Sequence, residues 1–470
     1  MAKSGSQGAA HVKRPSVSDS LKRLMAPHSI AVVGASRDPA KIGHAFIRNP
    51  LENGYKGRLY PVNPGGGEIC GIPCAPSIAD IKGKIDLTVL VVPAERSIPA
   101  LRQCAEKGVE AVIGITSGFA EAGRAGAGFQ RELGEILAAA PFRMIGPNSE
   151  GIVVPKSKLQ LTFSPMFNAM VDGPVRIMSQ SGGMSGMIAS RLAKRGVGIG
   201  ALFSTGNEDD INTADLMEYF ADDPGTGVVL AYLEEIRDAR RFVKAARRYR
   251  NGRAVVVMKG GRSPAGGRAA MSHTGAIAGD DRVVDGVFRE LDVVRIRDSR
   301  AAVDATAALS MMKWMRGRRV GIVGIAGGFG VEMTDLVETS GLLAPPFSDK
   351  VQKKLRPIMP FYGAVGNPID MTGTIINQPD MFRDVLNIAI DSGEVDAIVI
   401  LLTFVGEPKI IEAVIHANEA SDLPVLVCWT GGGEDTSPAC QMLYGKGIPT
   451  FDSPAAILTG LEALKAQAGL

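Results

Sequence analysis

SIAVVGASRDPAKIG, residues 29–43, decides the fold of this 470-residue chain. A short apolar run ends in Gly34, Ala35 and Ser36, and a helix opens near His44. That is a strand, a tight turn and a helix, the repeating unit of a sheet whose strands run parallel. The same arrangement recurs outward: GRLYPVNP (57–64), LTVLVVP (87–93), AVIGITS (111–117) and FRMIGPN (142–148) are further β-branched runs that close in small or turn-forming residues. Five such strands separated by amphipathic helices predict a doubly wound parallel sheet.

After a connecting stretch near residues 151–172 the pattern restarts with VRIMSQS (175–181), IGALFSTG (199–206), VVLAYLEE (228–235), AVVVMKG (254–260) and VVRIRD (293–298). Helices such as SGMIASRLAKRG and DARRFVKAARRY lie between these strands, and one near residues 301–315 follows them. A third restart reads RVGIVGIAGG (319–328), PIDMTG (368–373), AIVILLT (397–403), PVLVCWTGG (424–432) and IPTFDS (448–453). The prediction is three tandem α/β modules of the Rossmann or flavodoxin-like doubly wound kind. Their bounds are 21–150, 151–312 and 313–470, after a Ser-, Gly- and Lys-rich disordered tail over 1–20. A chain of this length needs roughly three cores of about 150 residues each.

Composition narrows the class. Apolar residues make up 45% and charged residues 21%, and 57 glycines with 5% aromatics fit many tight strand-to-helix turns. A net charge of +3 gives no general field for nucleic acid. The longest apolar runs fall far short of the roughly 20 residues of a membrane span, and no secretory segment is visible, so a cytoplasmic protein is expected. Five cysteines (Cys70, Cys74, Cys104, Cys428, Cys440) without zinc-type spacing read as reduced structural thiols, and no metal site is expected.

The turn of the first module can hold a pyrophosphate on free backbone N–H groups and a helix dipole, with Arg37 and Lys41 as cations at its mouth or merely solvated charges there. Its spacing is not G-x-G-x-x-G, and the second strand ends in Pro61, Val62, Asn63 and Pro64 with no acid for a ribose hydroxyl. A nicotinamide dinucleotide is therefore disfavoured, and another diphosphate ligand fits better. In the second module, Ser179, Gln180, Ser181, Gly182 and Gly183 open a helix at a strand end, either as a plain tight turn or as an anion cradle. Asn207, Glu208 and Asp210 follow one neighbouring strand, and Glu234 with Glu235 another.

His273 stands apart from the other four histidines. It lies in MKGGRSPAGGRAAMSHTGAIAGDD (258–281), expected to be a glycine-rich loop over the crevice that collects these strand ends. A carboxylate on one imidazole nitrogen makes the other a better nucleophile, and a helix N-terminus neutralises a phosphoryl group after transfer, so phosphorylation suits this setting, with a purely structural histidine as the alternative.

From residue 22 onward the chain resembles the α subunit, or α-like part, of the ADP-forming acyl-CoA synthetases, relatives of succinyl-CoA synthetase. The resemblance is carried in order by VVGASRDPAKIG, YPVNP, VVPA, ITSGFAE, GPN, SQSGG, STGNEDD, YLEE, SHTGAIAG, AGGFG and NPIDMTG. It implies coenzyme A on the first module, with Gly34, Ala35, Ser36, Arg37 and Lys41 near its phosphates and Asn63, Val92, Pro93, Ala94 and Asn148 lining the site. It implies that His273 is the phosphorylated residue, with Glu234 as its carboxylate partner and Glu235 a close competitor. Ser179, Ser181, Gly182 and Gly183 would receive the phosphoryl group or free phosphate.

The implied reaction converts acyl-CoA, phosphate and ADP reversibly into carboxylic acid, CoA and ATP through an acyl phosphate and phospho-His273. No G-x-x-x-x-G-K-[ST] is present, and the resemblance implies ADP or ATP and Mg²⁺ on a separate ATP-grasp β subunit, making a hetero-oligomer. Two features depart from the family pattern. Ser149 and Glu150 follow GPN where Cys and a small or apolar residue are usual, and Ile325 stands where Asn is usual before the third module's glycine loop. They motivate one alternative, a non-catalytic CoA-binding regulatory protein. A nicotinamide-dependent oxidoreductase is a second, resting only on the tandem sheets.

Overall fold

Each of the three runs folds into a parallel sheet, and all three wind the same way. The computed structural model describes residues 14–168, 170–249, 252–274, 280–325, 327–403, 408–430 and 437–470, with the side chains of residues 272–274 outside that description. The first sheet is ordered Arg58–Val62, Ser29–Val33, Leu87–Leu90, Ala111–Gly114, Arg143–Ile145, every pair parallel. The parallel part of the second is Ile199–Ser204, Val175–Ser179, Val228–Leu233, Ala254–Lys259, Val294–Ile296. The third is Ile369–Asp370, Val320–Gly324, Ala397–Leu402, Val425–Trp429, Thr450–Phe451.

Counted along the chain, the strand order in each is 2-1-3-4-5. The connections leave the first and third strands toward opposite faces, so a crevice opens between the C-terminal ends of those two strands. Helices cover both faces, which is why strands such as Leu87–Leu90 and Ala397–Leu402 are buried at every residue rather than at alternate ones.

Three segments differ from the expectation. Residues 151–172 are not merely a connection: Gly151–Val154 pairs antiparallel with Leu159–Thr162 and with Ile199–Ser204, extending the second sheet to seven strands. Both strands are four residues long and wholly buried, so they lack the polar alternation that marks a hairpin. The tail gives way before residue 20 to a helix, Val17–Met25, capped by Ser16 and seated on the buried Leu21 and Leu24. Residues 1–13 lie outside the described residues. His273 lies in the last turn of a helix, Pro264–Thr274, rather than in a loop.

The second and third sheets are joined by helix Ser299–Met311, which packs against the C-terminal helix Pro454–Gln467. Gly460 permits that approach, since a Cβ there would meet Phe451, Ala308 and Leu426 at 3.1–3.3 Å. Among the described residues no helix is long and apolar enough to cross a membrane.

Candidate functional site

The mouth of the first sheet is shaped by two glycines. Gly34 takes φ +90°, and a Cβ there would stand 2.4 Å from Val91 O. Gly43 lies beneath it, where a Cβ would be 2.1 Å from Gly34 O, so helix Ile42–Glu52 comes down directly onto the turn. Asn63 Nδ2 donates to Ala35 O at 2.8 Å, and His44 Nδ1 donates to Ser36 O at 2.9 Å, fixing the turn from both sides. Arg37 reaches over the following loop, its Nη1 2.5 Å from where a Cβ of Gly67 would be. Helix Ile42–Glu52 and helix Ala94–Lys107 begin at Lys41 and Pro93, neither with a side-chain cap. Two open helix N-termini thus flank the crevice, with Arg37 and the exposed Lys41 at its rim, a setting suited to a diphosphate. Ser97 Oγ and Thr116 Oγ1 both donate to Val92 O and hold the third strand's end in place.

A seam of polar side chains joins this mouth to the second sheet. Asn148, at φ +59°, donates through Nδ2 to Asn207 Oδ1 at 3.3 Å. Asn207 Nδ2 donates to Glu121 Oε2 at 2.5 Å, and Glu121 Oε1 accepts from the amides of Gly118 at 2.5 Å and Phe119 at 3.2 Å. Burial by itself would raise the Glu121 carboxyl, but the hydrogen bonds from Asn207, Gly118 and Phe119 outweigh it and hold the group below its ordinary range. Gln130 Nε2 donates to Asp209 Oδ2 at 3.0 Å beside this chain of contacts. Gly206 admits the GPN loop: a Cβ there would be 2.2 Å from Pro147 O.

The crevice of the second sheet opens at helix Gly182–Lys194. Ser179 is buried, and its Oγ donates to Ser181 O at 2.6 Å and accepts from Ser181 N at 3.1 Å, so this hydroxyl shapes the turn. Ser181 and Gly182 are half-buried and Gly183 is exposed, with nothing within 4 Å of a Cβ built on Gly183. Gln180 ties the turn to the neighbouring strand end: its Oε1 accepts from Glu234 N at 2.6 Å and Glu235 N at 2.9 Å, and its Nε2 donates to Glu235 O at 2.9 Å. Lys259 Nζ donates to Glu234 O and Gly260 O, each at 2.6 Å, and burial depresses its pKa. Glu208, buried at φ +56°, is raised by burial, while hydrogen bonds from Thr213, Thr205 and Gln180 pull the other way.

The two glutamates of YLEE face different groups. Glu234 is buried, accepts from Tyr232 Oη at 3.3 Å, and has its Cγ 3.7 Å from where a Cβ of Gly260 would be. It therefore lies beside the segment that leads into helix Pro264–Thr274. Glu235 Oε2 is 3.6 Å from Arg237 Nε, and Arg237 Nη1 is 3.6 Å from Asp209 Oδ1. The helix bearing His273 begins where Ser263 Oγ accepts from Gly266 N at 3.0 Å, and it packs on the turn Ala120–Ala125 of the first sheet. The His273 side chain and residues 275–279 lie outside the described residues.

The two departures after GPN have different fates. Ser149 is buried, donates to Ser204 O and accepts from Gly151 N at 2.9 Å, so its hydroxyl is spent on the strand junction. Glu150 reaches the first residue of helix Gly182–Lys194, its Oε2 2.4 Å from where a Cβ of Gly182 would be. Ile325 N donates to Leu401 O at 3.2 Å, and Ala326 beside it lies outside the described residues. Sequence reasoning passed over Glu121, Lys259 and Arg237. The signal for Lys259 was present, a single cation closing an otherwise apolar strand. Glu121 could have been found as the acid of a turn that follows a strand C-terminus.

Known proteins align with this geometry over nearly the whole chain. Residues 28–155 match the CoA binding domain, 172–309 the succinyl-CoA ligase like flavodoxin domain and 320–466 the ligase-CoA domain. The α subunit of ADP-forming acetate–CoA ligase I from Pyrococcus furiosus is 36% identical, over 95% of this chain and 97% of that protein. ADP-forming acetate–CoA ligase I of Archaeoglobus fulgidus is 32% identical over 94% of this chain, which spans 63% of that longer protein. Among solved structures, acetyl-coenzyme A synthetase 1 of Ca. Korarchaeum cryptofilum, in complex with phosphate and ADP, superposes with a TM-score of 0.86. The two are 32% identical, over 96% of this chain and 97% of that one. Neither alternative, the regulatory protein or the oxidoreductase, gains support from these relatives.

Proposed function

The chain belongs to the family of ADP-forming acyl-CoA synthetases of the succinyl-CoA ligase type, and from that premise we propose that it is the α subunit of an acid–thiol ligase working through phospho-His273. Coenzyme A binds at the first sheet, its phosphates against Gly34, Ala35, Ser36, Arg37 and Lys41 and its remainder along Asn63, Val92, Pro93, Ala94 and Asn148. The two uncapped helix N-termini there fit a diphosphate.

Inorganic phosphate binds at Ser181, Gly182 and Gly183, in a turn that Ser179 shapes. A phosphate oxygen attacks the thioester carbon, the C–S bond breaks, and the thiolate leaves with the proton given up by phosphate. An imidazole nitrogen of His273 then attacks phosphorus, the acyl–oxygen–phosphorus link opens on the phosphorus side, and the carboxylate leaves. The phosphoryl group passes finally to the terminal phosphate oxygen of ADP. Glu234 accepts a hydrogen bond from the N–H of the other imidazole nitrogen and, staying ionised, steadies the cationic ring. Relay through histidine lets separate acyl and nucleotide sites share one phosphoryl group.

The observation that carries this reading is the packing of helix Pro264–Thr274 on the turn Ala120–Ala125. It sets the His273 helix beside the seam that links the CoA mouth to the phosphate crevice. Nucleotide and Mg²⁺ belong on an ATP-grasp β subunit. In support, the matched Pyrococcus chain is named as a subunit, whereas the matched Archaeoglobus protein is longer than this chain. The assembly is cytoplasmic in this reading. The test is intact mass after incubation with phosphate and a panel of acyl-CoAs, beside His273→Ala. One acid-labile phosphoryl group that requires His273 is expected; labelling that survives the substitution rejects the relay.

A further inference from the structure

Glu150 stands between the two anion-binding mouths. Its backbone N donates to Ser204 Oγ at 2.9 Å, its carboxyl is hydrogen-bonded to the Ser164 hydroxyl, and its Oε2 lies against Gly182 at the start of helix Gly182–Lys194. On one side is the GPN loop with Asn148, and on the other the turn Ser181, Gly182 and Gly183. Apolar surface adjoins it. Phe163 lies 6.4 Å from Phe46, ring centre to ring centre. Met166 Cε is 2.8 Å from where a Cβ of Gly186 would be. Phe163 and Met166 are 37% and 36% exposed.

An acyl group joined to a thiol from the first mouth and attacked by phosphate in the second has to pass this carboxyl. We infer that Glu150 is a specificity-determining residue of the acyl site, turning away acyl groups that carry a second carboxylate and leaving neutral acyl chains to pack on Phe163 and Met166. The inference rests on the ligase reading above. Two carboxylates in a half-buried space repel each other far more than in water, so one such side chain suffices to set the preference. Burial raises the Glu150 carboxyl and the Ser164 hydroxyl opposes it, so the discrimination should strengthen as the assay pH rises.

The experiment measures phosphate-dependent release of CoA thiol from acetyl-CoA and succinyl-CoA by the full-length chain and by Glu150→Gln. Wild-type protein should favour acetyl-CoA by about tenfold or more, and Glu150→Gln should shrink that ratio by about tenfold. A ratio taken within one protein is unaffected by the fraction folded. Equal rates in wild type, or a ratio that Glu150→Gln leaves unchanged, overturn this inference alone. Release from another acyl-CoA of the panel but from neither of these two overturns this inference alone, whereas release from none of them overturns the ligase reading and takes this inference with it.

Discussion

The side-chain amide of Asn207 donates to Glu121 Oε2 across 2.5 Å, so the end of a second-sheet strand is hydrogen-bonded to a turn of the first sheet. Because Asn207 also accepts from Asn148, this one residue fixes the distance between the GPN loop and the TSGFAE turn. Replacing it by alanine removes both bonds and leaves the Glu121 carboxylate short of a donor. The expected cost is about 1–3 kcal/mol of stability, with a several-fold loss of CoA affinity. Urea unfolding and calorimetric CoA titration of Asn207→Ala check it; wild-type values in both would show that the seam holds nothing.

Glu234 and Glu235 are separable by experiment because they point at different partners. Glu234→Gln keeps the shape and loses the charge next to the segment entering the His273 helix. Phosphorylation of the chain by acyl-CoA and phosphate should slow roughly a hundredfold. Glu235→Gln weakens the half-exposed contact with Arg237 and should slow it less than about tenfold. Rapid-quench labelling of the two variants decides, and the opposite order would assign the carboxylate role to Glu235.

How far the residues could be read follows from what each signal encodes. Parallel strands buried on both faces are dense β-branched runs, and SIAVV, VRIMS and VGIVG are strands where the apolar pattern places them. The hairpin at 151–162 escaped because it is short and buried throughout, so neither length nor alternation marks it. The His273 helix escaped because Gly266 and Gly267 lower its propensity, although Ser263 and Pro264 give the start signal of a capped helix. Motif residues such as Asn148 and Asn207 could be picked out one at a time. That they bond to each other across two sheets is a tertiary fact with no local trace.

Glu208 makes stability depend on pH in a fixed direction. Burial raises its folded-state pKa above the ordinary 4.5, and the hydroxyls of Thr213 and Thr205 only partly offset this. Below that value both folded and unfolded chains hold the proton and nothing is lost. As pH rises from there to the folded pKa, the unfolded chain releases the proton first, so stability falls, by no more than about 1.4 kcal/mol per pH unit. Glu208→Gln cannot titrate and should gain on wild type steadily over that window. Urea midpoints of both proteins at a series of pH values test this, and parallel curves would mean that Glu208 is ionised in the fold at little cost.

Arg195 and Asp304 form a buried charge pair, and here a single change and the double change should disagree. Arg195 Nη1 donates to Asp304 Oδ1 at 2.6 Å, and both residues are buried where helix Ser299–Met311 packs on the second sheet's helix Gly182–Lys194. Burial pushes the Asp304 carboxyl up and Arg195 opposes that, so the carboxylate depends on its partner. Arg300 Nε, 3.9 Å from Asp304 Oδ2 and half-exposed, is a poor substitute. Arg195→Met should therefore cost about 3–5 kcal/mol, because it strands a buried charge. Adding Asp304→Leu removes that charge and should restore most of the loss, since two apolar side chains need no solvation. If the double variant is as unstable as Arg195→Met, the pair is holding the helix by geometry rather than by compensating its own burial, and chemical denaturation of the two variants beside wild type separates the two cases.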